Sequence, residues 1–554
     1  MVPRGSFVRA LASVVVLVGV LSHLGAASAA PGRSVSDNAK SLFISVPGPF
    51  TGCTFLDPGA TPTSNAVLDL IRPSAFLTSG AGTLVGEAGP IASAELTSLQ
   101  PETVVYTLAP GLTWSNGLVF SGRDLVAWWR HARSLDSVQS DGYRAVTSLT
   151  LGKRNLSVTA VFARPYADWN LLFRDVEARG ARTGCALSNL VARPSLGPYT
   201  VVSARPTRIV LAMDAQWPND FNRFGRIVLS TNDALPAKVA TPFANYSLAV
   251  NRGQLQALSA HPSVLSHIGQ ASTIEEVTFA PGQPLTRRLS MREALSWSLN
   301  RQSLLNELWG AVTFSPSVAA SAIFSQGQSA YPGVSGSGPA AQSTPPTTTL
   351  APGSGPTGLS DCLACAYDVL KLRHYHRTRD GWRDARGGLL SFVVAVGPSA
   401  IDHATAVIAI RQWRHAGIGI RAVTARTDAQ AATQAANNRA DAAIYARPTL
   451  TAAEYAARSW SGPAYSDTYP GGERSTEVNA LFQQASANFN PISANASWLA
   501  LDQLVQTSFW VRPLFTAPSL VEWSGGVTGI NNCLSVAGFL DQVTSWSTTT
   551  TSHA

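Results

Sequence analysis

Cys362 and Cys365 form a C-x-x-C followed by His374 and His376, the stretch whose residue types come nearest to reactive chemistry. Zinc takes thiolate and imidazole ligands in a tetrahedral set. Two histidines two positions apart on a helix point in different directions, however. A local disulfide is therefore the favoured reading, with a zinc site and a thiol redox centre as alternatives. Cys53, Cys185 and Cys533 bring the total to five, an odd number that leaves at least one thiol unpaired or bonded to another chain. Gly353, Gly355 and Gly358 reproduce the G-x-G-x-x-G spacing, but no strand precedes them and no helix follows at once. A dinucleotide site needs both. The sequence contains no H-E-x-x-H, no G-x-S-x-G, no Walker loop and no Asp-rich calcium loop. Nothing local therefore points to catalysis, although distant histidines and acids could still assemble a site.

The segments that must position any site alternate in type. "SLFISV" reads as a strand running into a Pro/Gly-broken loop, "ETVVYTLAP" as a strand, "SGRDLVAWWRHARSL" as a helix and "NLSVTAVFARPY" as a strand. In the tryptophan stretch, Asn116-Gly117 supplies a tight turn. Ser121 with Asp124 three positions on is a weak reciprocal cap. Trp128 and Trp129 are adjacent, so one is expected in a core and the other at a domain boundary. "GPYTVVSARPTRIVLAMDAQW" reads as a hairpin, and "RRLSMREALSWSLNRQSLLNELWG" as one amphipathic helix closed by Gly310. Trp297 and Trp413 lie in amphipathic helices and are expected in the core. The Ser/Gly/Pro/Thr tract 325–360 cannot build a packed core and reads as a flexible exposed loop. Beyond it, "LLSFVVAVG", "DHATAVIAIRQWRHAG", "IGIRAVTA" and "RADAAIYAR" form a strand–helix–strand–strand series, which places this half in the α/β class. The helices "TEVNALFQQASANF" and "ASWLALDQLVQTS" precede a final strand-like run, "FWVRPLFTAPSLVEW".

Composition sets the setting. The 554 residues allow two to four domains. Charged residues make up 13% of the chain against about 25% in ordinary soluble proteins. The net charge of +8 is spread thinly, without the Lys/Arg clusters of a phosphate-binding surface, so nucleic acid is not an expected partner. Arg4 and Arg9 precede "ALASVVVLVGVLSHLGA" and then "ASAAP", the order of a secretory signal peptide with cleavage after Ala29. An uncleaved anchor is the alternative, although the apolar run is short for a span. No cysteine sits at the end of that run to carry a lipid. The expected location is the periplasm or the outer face of the envelope.

The order of these motifs resembles the extracellular solute-binding proteins of ABC importers, the family of oligopeptide-, dipeptide- and nickel-binding proteins. "YTLAPGLTWSNGLVFSGRDLVAWWR" is similar to the family's strand, W-S-[DN]-G turn and helix. "FLDPGA", "VTAVFARPYADWNLLF", "LGPYTVVSARP", "NYSLAVNRG", "MREALSWSLNRQSLL", "AYDVLKL" and "IRQWRHAGIGIRAV" follow in family order across most of Leu42 to Trp523. Asn300 stands where the family has Asp. One segment departs from the pattern. Where peptide-binding members carry G-W-x-x-D-Y, whose Asp anchors the peptide's amino group, this chain reads "IYARPTLTAAEY" with no acid before Glu454. Arg447 there would suit a carboxylate through a forked hydrogen bond, or would be a surface residue at a strand end.

The resemblance implies an α/β, two-lobed periplasmic-binding-protein type II fold with an inserted extra subdomain. The expected division is a signal peptide over 1–29, a first lobe from 30–57, 181–251 and 496–554, a subdomain over 58–180, and a second lobe over 252–495. It further implies a receptor that closes on a small solute, by default a peptide, and delivers it to a membrane permease and its ATPases. The protein is expected to be a monomer with no cofactor and no catalytic or metal-binding residues. Oligosaccharide and metal chelate are alternative ligands, and an exported enzyme or a transport-independent sensor or adhesion module are alternative functions. The expected cleft residues are Cys53, Thr54, Tyr143, Tyr246, Asn251, Tyr445, Arg447 and Trp460.

Overall fold

A computed structural model describes residues 41–548 apart from 53, 55, 57–60, 80–83, 87–88, 136–139, 181–185, 215–216, 218–223, 232–241, 248–249, 258–263, 311–315, 325–360, 449–475, 525 and 531–535. The signal segment, the tract 325–360, Cys53, Cys185, Cys533 and Trp460 all lie outside the described residues.

Among the described residues, ten strands make one sheet that runs through both halves of the protein. In one half, Ser41–Val46 pairs in parallel with Arg226–Thr231 and Phe243–Ser247. The hairpin Tyr199–Arg205 and Arg208–Met213 completes that edge. In the other half, Ser391–Val396 pairs in parallel with Gly419–Thr424 and Ala442–Pro448. Two long strands, Val264–Phe279 and Val511–Ser524, belong to both halves. Their N- and C-terminal parts pair antiparallel, Val264 opposite Ser524 and Thr278 opposite Val511. The register slips between Gln270 and Ile274 and again between Glu275 and Glu276. Pro513 and Pro518 sit opposite Glu276 and Gln270, so the ladder lacks amide donors beside both slips. Proline inside a central strand is tolerated at such bulges and marks where a sheet bends.

Four hydrophobic clusters pack around this frame. The first joins Leu42, Ile44, Tyr199, Leu211, Ile227 and Trp546. A second, built on the four-stranded sheet of Ile91–Leu99, Glu102–Leu108, Val146–Leu151 and Ser157–Phe162, contains Tyr106, Trp114, Trp128, Trp129 and Tyr143. A third joins Val277, Leu295, Trp309, Trp413, Val394, Trp498 and Phe515, and a small alanine-rich fourth lies behind Tyr445. Trp413 is indeed core, and Trp297 packs against the same cluster half-buried.

These cores move two expected boundaries. Helix Pro62–Ile71 buries Ala66, Val67, Leu70 and Ile71 in the first core, not in the subdomain expected over 58–180. Helix Pro491–Ser508 buries Trp498, Leu501 and Val505 in the third core, so the chain returns to the first half along the strand Val511–Ser524 and not at residue 496. The single amphipathic helix expected around "MREALSWSLNRQSLL" is two helices, Leu289–Trp297 and Arg301–Leu308. Asn300 breaks it by capping the second, its side chain accepting from the Ser303 amide at 2.7 Å.

Candidate functional site between the hinge and the second half

The second half turns its chemistry toward the hinge for a topological reason. Its parallel strands end there, Val396 lying opposite Ile444 and Pro448 opposite Thr273 beside the register slip. The helices that follow each strand therefore begin at the same end. Ligands of open α/β sheets bind outside the carboxyl ends of the strands for this reason.

Helix Ala400–His415 starts at Ser399, which accepts from the Asp402 amide at 3.0 Å while Asp402 Oδ2 accepts from the Ser399 amide at 2.7 Å. This reciprocal cap fixes the Asp402 carboxylate against the helix terminus. Helix Asp428–Ala436 starts at Thr427, whose hydroxyl accepts from the Gln430 amide at 3.0 Å. Gly397 lies between the two termini and donates its amide to the Ile444 carbonyl at 2.8 Å. A Cβ on Gly397 would come within 2.5 Å of both Asp402 Oδ2 and Asp428 Oδ1. The two carboxylates thus converge over a bare backbone where any side chain would have to displace them.

Glu275, on the long strand beside the slip, completes the group. It is 2% exposed, and neither of its carboxylate oxygens has a hydrogen-bond donor. Asp402 is fully buried, with Oδ1 likewise unpartnered, and Asp428 is half-buried. Burial, then the charges of Asp402 and Asp428, push the Glu275 carboxyl well above the usual range. Burial and Asp402 push Asp428 up to about 8. Like charges this close resist ionising together, so Glu275 and Asp428 keep protons near neutral pH. The face they form accepts hydrogen bonds and favours positive charge. Among the described residues, no group of three or more His, Cys, Asp or Glu side chains is arranged to hold a metal ion.

Arg447, expected to suit a carboxylate or to lie on the surface at a strand end, is buried and engaged within the protein. Its Nε donates to Glu276 Oε2 at 2.9 Å, its Nη2 lies 2.9 Å from the same oxygen, and Nη2 also donates to the Ala322 carbonyl at 2.6 Å. The guanidinium is neutralised within the protein because Glu276, which is fully buried, needs a counter-charge. Tyr445 lies opposite Glu276 on the neighbouring strand and is 3% exposed. Both residues therefore sit at the hinge end of the second half, as structure behind the face.

The remaining expected residues scatter. Tyr143 is buried in the subdomain, its hydroxyl accepting from Trp128 Nε1 at 3.2 Å and from the Phe173 amide at 2.7 Å. Its carbonyl accepts from Trp129 Nε1 at 3.0 Å. Both tryptophans are thus held in one core, which corrects the expectation that one lies at a boundary, and Tyr143 is the reason. Tyr246 is buried in the first core with its ring stacked on Phe539, centroids 5.2 Å apart. Asn251 is exposed and caps the helix Arg252–Ala257, exchanging hydrogen bonds with Gln254. Thr54 accepts weakly from the Leu56 amide at 3.4 Å. Cys362 and Cys365 form a disulfide, which removes the thiolates a zinc site would need. Sequence reasoning missed Glu275, Asp402 and Asp428. The signals were two adjacent acids inside the strand "STIEEVTF" and the cap pattern "SAID" directly after a buried strand.

The subdomain also reaches across to the second half. Ala167 donates its amide to the Ser486 carbonyl at 2.7 Å, and Arg164 Nη1 donates to Gln483 Oε1 at 3.2 Å. Beneath this contact, burial pushes Glu102 up to about 7 although the Tyr166 amide donates to it, and burial with the charge of Glu102 pushes Asp168 up to about 7.

Residues 90–468 match the family described as bacterial extracellular solute-binding proteins, family 5. The oligopeptide-binding protein OppA of Mycobacterium tuberculosis is 29% identical over 173 residues, 27% of this chain and 28% of that protein. A monoacyl phosphatidylinositol tetramannoside-binding protein, LpqW, of the same species is 28% identical over 123 residues, 21% of this chain and 19% of that protein. The chain thus spans less than a third of the length of these curated relatives. Solved structures match nearly throughout. The periplasmic EDTA-binding protein EppA superposes with a TM-score of 0.75 at 14% identity, covering 94% of this chain and 99% of that one. The oligopeptide-binding protein AppA of Bacillus subtilis, solved with a nonapeptide, gives 0.72 at 12% identity over 92% and 99%. NikZ of Campylobacter jejuni, solved with Ni(L-His), gives 0.69 at 13% identity over 92% and 99%. These likenesses establish the fold expected from the motif order: α/β, two-lobed, of the type II periplasmic-binding class. The ordered motifs, the shared long strands and the match over 90–468 converge on one conclusion, that the chain belongs to the family 5 bacterial extracellular solute-binding proteins.

Proposed function

We propose that the protein is an exported, monomeric solute receptor of an ABC importer, which encloses a small ligand between its lobes and presents the closed form to a membrane permease served by ATPases. Family membership supports the receptor role, and the two strands shared by both lobes supply the hinge. The ligand we favour is a peptide or another solute with a protonated amine. The observation that carries this is the carboxyl group of three, Glu275, Asp402 and Asp428, next to the hinge, with Arg447 already neutralised by Glu276. A carboxylate-directed ligand would meet the wrong sign there. The half-buried Asp428 is the member we place within reach of a ligand, where a protonated amine would favour the ionised carboxylate over the protonated one.

Closure stabilises only what binds the closed form more tightly, so affinity and melting temperature rise together. Mass spectrometry of ligand released from the purified protein, with thermal-shift screening of peptides, sugars and metal chelates, tests the assignment. Peptides of two to ten residues should raise the melting temperature, and blocking the amino terminus by acetylation should abolish the rise. Sugars or chelates acting in their place would transfer the protein to another ligand class.

A further inference from the structure

The Cys362–Cys365 disulfide is placed unlike a structural brace. It closes a sequence separation of only three residues, the kind of short loop from which a cross-link removes least entropy. Both cysteines are half-buried, while Ala366 and Leu370 on the same helix are in the core. The segment does not depend on the disulfide for its anchorage. Asp361, one residue earlier, accepts from the Arg301 amide at 2.8 Å and from Arg301 Nε at 2.9 Å, and it pairs with Arg512 of the hinge strand. Cys362 donates its amide to the Trp297 carbonyl at 3.1 Å.

Cys362 is the N-cap of helix Leu363–Leu372, and its sulfur accepts from the Cys365 amide at 3.2 Å. On reduction this donor and the positive end of the helix dipole remain aimed at the Cys362 sulfur, which lowers the cost of its thiolate. Cys365, one turn inside the helix, has no such terminus. Both sulfur-bearing residues are only half-buried, and the residues on either side of Cys362, Asp361 and Leu363, line a hollow of ≈ 350 Å³.

We propose that Cys362–Cys365 is an exchange-competent disulfide that accepts two electrons from a dithiol, with Cys362 carrying the mixed disulfide. The first thiolate of the dithiol attacks Cys362 Sγ, forming a new S–S bond while the Cys362–Cys365 bond breaks and its electron pair leaves on Cys365, which takes up a proton. The second thiol of the same reagent, deprotonated, attacks its own sulfur in the mixed disulfide and releases Cys362 as thiolate. The dithiol ends as a cyclic or linked disulfide and the protein as a dithiol, so electrons and protons balance. This site lies apart from the carboxyl face and does not depend on the receptor reading.

The test uses the full chain titrated with dithiothreitol, quenched with N-ethylmaleimide and mapped by peptide mass spectrometry, with tryptophan fluorescence followed alongside. The peptide holding Cys362 and Cys365 should gain two alkyl groups while the fluorescence stays native. A pair that stays oxidised until the protein unfolds overturns the proposal. In Cys365→Ser, Cys362 should react with 5,5′-dithiobis(2-nitrobenzoate) at about pH 6 at least ~10-fold faster than free cysteine, whose thiol titrates near 8.5. A rate equal to that of free cysteine would overturn the assignment of Cys362. Should that variant fail to fold, the titration of the unmodified chain decides alone.

Discussion

Two regions of the molecule bury acidic groups in opposite ways. Where the subdomain meets the first core, acids face arginines. Asp69 receives Arg174 at 3.1 and 2.7 Å, and Glu177 lies 3.0 Å from Arg72 and 2.6 Å from Arg193. Asp175, whose oxygens have no hydrogen-bond donor, is pushed up by burial and by Asp69, with Arg174 and Arg72 opposing. At the hinge end of the second lobe, Glu275, Asp402 and Asp428 face one another, with no arginine or lysine among the charges that shift Glu275 and Asp428. A buried pair of opposite charges holds two elements in register. A buried group of like charges holds nothing by itself, and such groups gather where something is to be bound. The difference separates a region held by ion pairs from the region we propose as the solute site.

Breaking the paired side should give the largest effect. Arg174→Met leaves Asp69 buried beside Asp175 without its counter-ion, and should cost about 3–5 kcal/mol in chemical denaturation. A loss below about 1 kcal/mol would mean that the arginine–acid pairs do not hold the subdomain to the first core. Gly397→Ala comes next. Its Cβ would push Asp402 and Asp428 apart, at about 1–3 kcal/mol, and should weaken ligand binding along with stability.

The unpaired side should respond to pH with a definite sign. Folded Asp428 titrates at about 8, whereas an unfolded aspartate titrates at about 4. The folded state therefore keeps a proton that the unfolded state releases. The stabilisation is complete below about pH 4 and is lost as pH rises through about 8. Asp428→Asn should flatten this part of the stability profile and melt several degrees higher than the unmodified protein at about pH 8.5. A variant that melts lower at alkaline pH would place a cation or a paired donor at the site and end the contrast drawn above. The smallest effect belongs to the tryptophan turn. Asp124 accepts from the Ser121 amide at 2.9 Å and from the Arg179 amide at 3.1 Å. Asp124→Ala should cost about 1 kcal/mol, read as a small fall in melting temperature with ligand affinity unchanged.

Much of the fold was legible because it rests on local rules. The hairpin at Tyr199–Met213, the strands of the second lobe and the capped helix after Ser121 all follow from period and punctuation. The break at Asn300 was not read, since a cap inside an apolar periodicity looks like one polar residue among many. The site was much less legible. Tyr143, Tyr246 and Tyr445 are aromatic residues near family motifs, yet tertiary packing puts all three in cores. Arg447 has the chemistry of an anion ligand, and only Glu276 on the paired strand reveals that this chemistry is already engaged. Glu275, Asp402 and Asp428 come from one strand and two helices, and no window of sequence contains them together.

The long strand Val511–Ser524 has a kinetic consequence. It pairs with Phe243–Ser247 on one side and with Val264–Phe279 along its length, so it completes the sheet of both lobes at once. It joins two blocks of strands that otherwise pair among themselves, and its partners lie far back in the chain. Pairing at such separation forms late and slowly.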